Sequence, residues 1–284
     1  MALGSKTKEG RTLRTAIVYD FDGTLARGNI QEHSFLPDKG IPKEEFWADV
    51  RKEAETTDSD EILVYMRKML EAANDSGEPL KRPALRDAGR STPLFEGVPG
   101  WFDRINDHAT EIGLSLEHYV VSSGIREMIE GCKIAGKFKH IFASKFIYDE
   151  NDVAIWPGIA INYTTKTQFL FRINKEVINN WDNESVNKWM PMKKRPIPFE
   201  RMIFIGDGDT DIPSMKMVRL QGGHSIAVFD PKEWPKVGSG SKAQEKIFKL
   251  ISEDRVHFVA PADYRNGSQL DITVKGILGR IASG

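Results

Sequence analysis

The sequence predicts an α/β protein in which a parallel sheet is covered by helices on both faces and a small all-helical segment interrupts the chain after the first strand. Three observations predict it. Short β-branched apolar runs alternate with amphipathic stretches, the pattern that lays parallel strands between helical layers. Between Ile30 and Ser91 this alternation stops, charged residues crowd in and helical spacing takes over. Two aspartate clusters, Asp20-Phe21-Asp22-Gly23-Thr24 and Gly206-Asp207-Gly208-Asp209-Thr210-Asp211, each follow a strand-like run directly. In open α/β sheets ligands bind beyond the carboxyl ends of the strands, so the architecture gives both clusters a common location.

Residues 1–13 are polar and basic, with Gly4, Ser5 and Gly10, and read as a flexible leader without the apolar core of a secretory signal. Thr15 to Tyr19 is the first strand. In the inserted segment, Pro42 precedes a helix with Phe46, Val50 and Ala54 on one face. Ser59 is the expected cap of a longer helix that points Ile62, Met66, Met69, Leu70 and Ala73 inward and stops at Asn74-Asp75-Ser76-Gly77. Pro79, Pro83 and Pro93 punctuate the return. Trp101, Phe102, Ile105 and Ala109 then form a helix face leading to a strand over His118 to Val121. Another strand follows at His140 to Ala143, and Tyr148 to Val153 reads as a hairpin turn. Lys166 to Asn180 is an expected helix with Phe169, Ile173 and Val177 inward, and Met190 to Pro198 a charged loop. Strands at Met202 to Ile205, Ser225 to Phe229 and Val256 to Ala260 complete the pattern. The expected division is a core domain of residues 14–29 and 92–284 and a helical domain of residues 30–91.

Length and charge narrow the function. A chain of 284 residues is long enough for about two domains or one large domain with an insertion. Its 40 Lys+Arg against 41 Asp+Glu leave a net charge of -1, so no global basic field is available for nucleic acid or an anionic membrane. No apolar run reaches the roughly 18 residues of a spanning helix. The single Cys132 excludes an internal disulfide framework and is expected to be a small buried filler, which fits a reducing, cytoplasmic setting. Nothing in the sequence specifies an oligomeric state.

Chemistry is concentrated at strand ends. Asp20 stands where a strand meets a glycine-containing turn, the position of a nucleophile projecting over a sheet edge. Asp22 has left the strand and is placed to protonate a leaving oxygen and later to take a proton from water. Ser122 or Ser123, followed by Gly124, offers a hydroxyl and free backbone N–H groups to a phosphate. Lys166, at a helix start, offers a point charge; Lys145 and Lys175 are alternatives. Asp207 and Asp211 add the hard oxygen ligands that suit Mg2+. Asp209 reads as solvated loop.

Taken in series, these residues resemble the haloacid dehalogenase superfamily: Asp20 and Asp22 in Asp-x-Asp-Gly-Thr, then Ser122, Lys166, and Gly206-Asp207-x-x-x-Asp211. The resemblance implies a Rossmann-like core with a helical cap, as in the group similar to phosphoserine phosphatases. It further implies Asp20 as nucleophile and metal ligand, Asp22 as general acid/base and ligand through its carbonyl, and Asp207 as a ligand. Asp211 would support the metal, while Ser122 and Lys166 would hold the phosphoryl group. A Mg2+-dependent phosphatase acting on a small phosphorylated metabolite through an aspartyl phosphate is the expected activity, with the cap as a lid. The chain departs from phosphoserine phosphatases at Asn29, where they carry glutamate, and at Thr210, where they carry asparagine, which removes the support for phosphoserine as substrate. A phosphomutase or phosphotransferase of the same fold is the nearest alternative, and a catalytically silent binding domain a further one. A dehalogenase is disfavoured by Asp22, since halide leaves without a proton.

Overall fold

The computed structural model describes residues 12–208, 210–234 and 242–284. The expected leader therefore lies outside the described residues except at its end, where Leu13 already opens the first strand. Asp209 also lies outside them. Seven strands form one sheet: β1 (Leu13–Tyr19), β2 (Leu114–Ile125), β3 (His140–Tyr148), β4 (Ala154–Ile159), β5 (Met202–Gly206), β6 (His224–Phe229) and β7 (Phe258–Pro261). Their order is β4-β3-β2-β1-β5-β6-β7, and every neighbouring pair is parallel except β3 with β4. The helices are α1 (Phe35–Asp38), α2 (Lys43–Thr57), α3 (Glu61–Asp75), α4 (Arg82–Gly89), α5 (Val98–Glu111) and α6 (Arg126–Gly131), followed by α7 (Thr165–Lys175), α8 (Asn183–Asn187), α9 (Ile212–Leu220), α10 (Lys242–Ser252) and α11 (Gln269–Ser283). None among the described residues is long and apolar enough to cross a membrane.

Alternation along the strands builds two cores. In β1, Ile17 and Tyr19 face one cluster and Ala16 and Val18 the other, because successive side chains leave a strand on opposite faces. The first cluster packs α5 and α11 on the sheet and continues into Phe46, Val50, Tyr65, Met66 and Met69 of the helical insertion; the second takes Phe169 and Ile173 of α7, Met215 and Val218 of α9, and Ile247 and Leu250 of α10. Behind the site Trp101 donates to the Tyr19 hydroxyl (2.8 Å), which bonds His118 Nδ1 (3.0 Å), while His118 Nε2 meets Asn106 Oδ1 (3.1 Å). Burial pushes the His118 ring down to about 3, so it is neutral in the fold.

Several elements differ from the sequence reading. α3 is capped by Asp60, not Ser59: its Oδ1 accepts from Ile62 N (2.9 Å) and Leu63 N (3.0 Å). α7 ends at Lys175, because Glu176 turns into the left-handed region at φ 59°, which leaves Val177 beyond the helix. β2 runs past Val121, with a register shift between Ser122 and Ile125, so these residues form a bulge within a strand and the following helix starts only at Arg126. The turn at 148–153 is present, with Asp149 N donating to Val153 O at 2.9 Å, and leads into the edge strand β4. Cys132 is free and buried just beyond α6.

Helices α4 and α6 cross in backbone contact. A Cβ added at Gly89 would stand 1.8 Å from Met128 O, and one at Gly131 1.8 Å from Arg86 O. Only the absence of side chains at both positions permits this approach.

Candidate active site

At the carboxyl ends of β1, β2 and β5 the chain assembles an acidic centre around one buried cation. Asp20 leaves β1 with its N–H donating to Ile205 O of β5 (2.9 Å), and its Oδ1 accepts from Phe21 N (2.7 Å). The chain then turns at Gly23, whose φ is +70° and whose Cβ would stand 2.7 Å from Asp207 Oδ2. Glycine is needed there twice, for the left-handed backbone and for the close approach of the two aspartate loops. Carboxylate oxygens of Asp20, Asp207 and Asp211 all lie within 4.8 Å of one another.

Lys166 is the counter-charge. Its Nζ, wholly buried, lies 2.9 Å from Asp20 Oδ2, 2.7 Å from Asp211 Oδ1 and 3.0 Å from Thr210 Oγ1. Burial alone would lower its pKa, but the attraction of Asp20 and Asp211 raises it overall, so it stays charged. The other oxygen of Asp211 accepts from Asp207 N (3.1 Å). Asp211 thus holds the lysine with one oxygen and the β5 loop with the other. Lys145 and Lys175 are elsewhere: Lys175 Nζ donates to Val186 O and Lys188 O, and Lys145 borders a different, smaller cavity near α6.

Asp22 sits apart from that cluster. Its Oδ1 accepts from Ile30 N (2.9 Å), and a Cβ on Gly124 would meet its Oδ2 at 2.7 Å, so the glycine in the β2 bulge lets the second aspartate reach the second strand. Burial pushes Asp22 up to about 7, against the opposing bond from Ile30. Asp20 is raised well above its ordinary value by burial first and by the facing Asp211, with Lys166 pulling the other way. Ser122 Oγ accepts from Gly124 N (3.0 Å), and Ser123 Oγ is buried with no partner among the described residues.

A cavity of about 750 Å³ opens over this centre, lined on its floor by Asp20, Asp22, Ser122, Ser123, Gly124 and Asp207. Its other wall comes from the helical insertion, with Trp47 and Arg51 of α2 and Tyr65 of α3. Lys166 and Asp211 lie beneath the floor, fully buried. Several contributors escaped the sequence reading, among them Gln31, Trp47, Tyr65 and Lys246. The Tyr65 hydroxyl donates to Ser123 O (2.6 Å), and Lys246 of α10 stands 3.4 Å from Asp207 Oδ2, while outside the cavity lining Asn162 donates to the Asp60 cap of α3. Tyr65 stands outside the inward stripe read from the sequence, and Lys246 is one lysine among many, with no motif around it.

Comparison with known proteins gives a consistent result. The model of the haloacid dehalogenase-like hydrolases matches residues 17–216. An uncharacterized protein of Borreliella burgdorferi is 29% identical over 286 residues, covering 90% of this chain and 93% of its own. Among solved structures, a family hydrolase of Salmonella enterica serovar Typhi superposes with a TM-score of 0.57 at 14% identity, over 92% of this chain and 70% of that one. A substrate-bound phosphoserine phosphatase superposes with a TM-score of 0.54 at 17% identity, over 94% of this chain and 99% of that one. At these identities the superpositions speak for the fold.

Proposed function

Because the chain belongs to the haloacid dehalogenase-like hydrolases, we propose that it is a Mg2+-dependent phosphatase of a small phosphomonoester, working through an aspartyl phosphate on Asp20. The observation that carries this reading is the convergence of Asp20, Asp207 and Asp211 from two distant segments, with Lys166 bridging two of them. Three crowded carboxylates facing two ammonium groups, Lys166 and Lys246, still leave one negative charge in excess, which fits a divalent cation. An all-oxygen donor set with neither imidazole nor thiolate fits Mg2+ in particular. Asp20 and Asp207 would hold it, with the Asp22 carbonyl, and Asp211 would support the site from below through the β5 loop. When bound, the ion supplies charge neutralisation for the phosphate dianion.

The residues then divide the work. The Asp20 carboxylate attacks phosphorus in line, and the bond to the leaving oxygen breaks as Asp22 delivers its proton to that oxygen. An acid held near 7 carries that proton at neutral pH, whereas an ordinary aspartate would not. Asp22, now a carboxylate, takes a proton from water. The water oxygen attacks phosphorus, the bond to Asp20 breaks, and inorganic phosphate leaves. The Ser122 hydroxyl and the Ser123 backbone of the β2 bulge would hold the equatorial oxygens, with Gly124 leaving room for them. Lys166, buried beneath Asp20, keeps that carboxylate charged and aimed at phosphorus, and would reach a phosphoryl oxygen only by giving up one of its present partners. Residues 30–91 act as the lid over this chemistry, supported by the Trp47, Arg51 and Tyr65 wall. The sole cysteine, free and buried, suits a cytoplasmic setting.

The test is phosphate release from an aryl phosphate with Mg2+ and with chelator. Wild type should turn over only with the metal, and Asp20→Asn should be inactive while remaining folded. Turnover by Asp20→Asn at the wild-type rate would remove the nucleophile and the reading with it.

A further inference from the structure

Gln31 lines the same cavity as Asp22 yet is only 2% exposed, and its Oε1 is closed off from solvent with no hydrogen-bond partner among the described residues. A buried carbonyl oxygen left in this state costs the free protein stability, and among the described residues with such atoms only Gln31 and Ser123 also line the cavity. Its neighbours make the use specific. Ile30, one residue earlier, donates its backbone N–H to Asp22 Oδ1 (2.9 Å), so Gln31 stands beside the group that protonates the leaving oxygen. The nearby carboxylate of Glu32 is already engaged, its Oε1 accepting from Asn29 Nδ2 (2.7 Å) and Trp47 Nε1 (2.7 Å). What this stretch offers an occupant is a neutral amide whose terminal torsion is broad and two-fold, able to present either its carbonyl or its NH2.

Resting on the phosphatase reading, we propose that Gln31 is a specificity-determining residue that hydrogen-bonds a hydroxyl of the leaving alcohol close to the ester oxygen, so that the substrate is a polyol or sugar monophosphate. A hydroxyl both donates and accepts, and so complements an amide in either orientation. A cavity of about 750 Å³ has room for a leaving group of that size.

The experiment measures kcat/KM of wild type and Gln31→Leu with glycerol 3-phosphate, a hexose 6-phosphate and para-nitrophenyl phosphate, alongside the Tm of each free protein. Wild type should favour at least one hydroxylated ester, and Gln31→Leu should shift the ratio of that ester to the aryl ester by about 10- to 100-fold, the loss expected for one buried hydrogen bond. The free variant should melt no lower than wild type, because leucine removes an unpaired amide. An unchanged ratio, or equal losses on both esters with a lowered Tm, would make Gln31 a packing residue and overturn the proposal while leaving the phosphatase intact. A wild type that hydrolyses the aryl ester but neither hydroxylated one overturns the substrate class. Inactivity on all three overturns the phosphatase reading, and this inference falls with it.

Discussion

Replacing Lys166 with methionine preserves the bulk of the side chain while deleting the one cation between Asp20 and Asp211. Both contacts are short, 2.9 and 2.7 Å, and the three side chains are 0–5% exposed, so water cannot stand in for the ammonium. Removing one partner of such a buried arrangement typically costs about 3–5 kcal/mol, because the remaining charges are left uncompensated. The cost should depend on pH with a definite sign. Asp20 already titrates above its ordinary 3.8 through burial and the neighbouring Asp211, and losing Lys166 raises it further. A folded-state pKa above the unfolded one means that the native protein holds a proton that the unfolded chain releases, so stability falls as pH rises from about 3.8 upward. The variant should therefore be most destabilised near neutrality and recover relative to wild type in acid. Urea unfolding in chelator at pH 7.5 and pH 5 measures this, and Asp211→Asn on top of Lys166→Met should return part of the loss by removing one of the orphaned charges. A destabilisation below about 1 kcal/mol at pH 7.5, or one equal at both pH values, would refute the idea that Lys166 neutralises this cluster.

Two further expectations concern the scaffold. His118 is neutral in the fold, held down to about 3, so as pH falls below 6.5 the unfolded chain takes up a proton that the native state refuses, costing about 1.4 kcal/mol per pH unit. His118→Gln should flatten the acid limb of the stability profile by about that slope, and parallel urea profiles would contradict it. Gly89→Ala should destabilise by about 1–3 kcal/mol or more, since its methyl would stand 1.8 Å from Met128 O, and unfolding midpoints indistinguishable from wild type would show that the crossing can relax.

The sheet was readable because its strands carry their own signature. Thr15 to Tyr19 and Met202 to Ile205 are β-branched runs that end at glycine or aspartate, and both became central parallel strands close to the expected bounds. β4 was readable only through its turn: Ala154–Ile159 contains Pro157 and Gly158, which weaken a strand signal, and it exists as an edge strand paired to β3. The sequence carries the expected helix from Lys166 to Asn180 because hydrophobic spacing continues through Val177, whereas the stop is set by the backbone at Glu176. In the site, the chemistry-bearing aspartates announced themselves by strand context and spacing. Their support did not. Tyr65 and Lys246 reach the centre only because folding brings α3 and α10 to it, and no local pattern marks a residue for a contact made across the fold. Gln31 is the sharper case, since its significance lies in a missing hydrogen bond, which only coordinates can reveal.

The glycine crossing of α4 and α6 bears on how the roof over the cavity can move. Where two backbones touch without intervening side chains, sliding or tilting by even an ångström breaks the fit, so the return leg of the insertion is held tightly to α6, the helix that directly follows β2. Upstream of that crossing the chain is also pinned at Leu80, whose carbonyl accepts from Ala154 N (2.8 Å), so between α3 and this anchor the backbone turns only at the Ser76-Gly77 corner, where Gly77 has a φ of +70°. Opening would release the Tyr65 hydroxyl from Ser123 and the Asp60 carboxylate from Asn162. Those two hydrogen bonds tie α3 directly to the β2 bulge at Ser123 and to the segment just ahead of α7 at Asn162, the two stretches that carry Ser122 and Lys166.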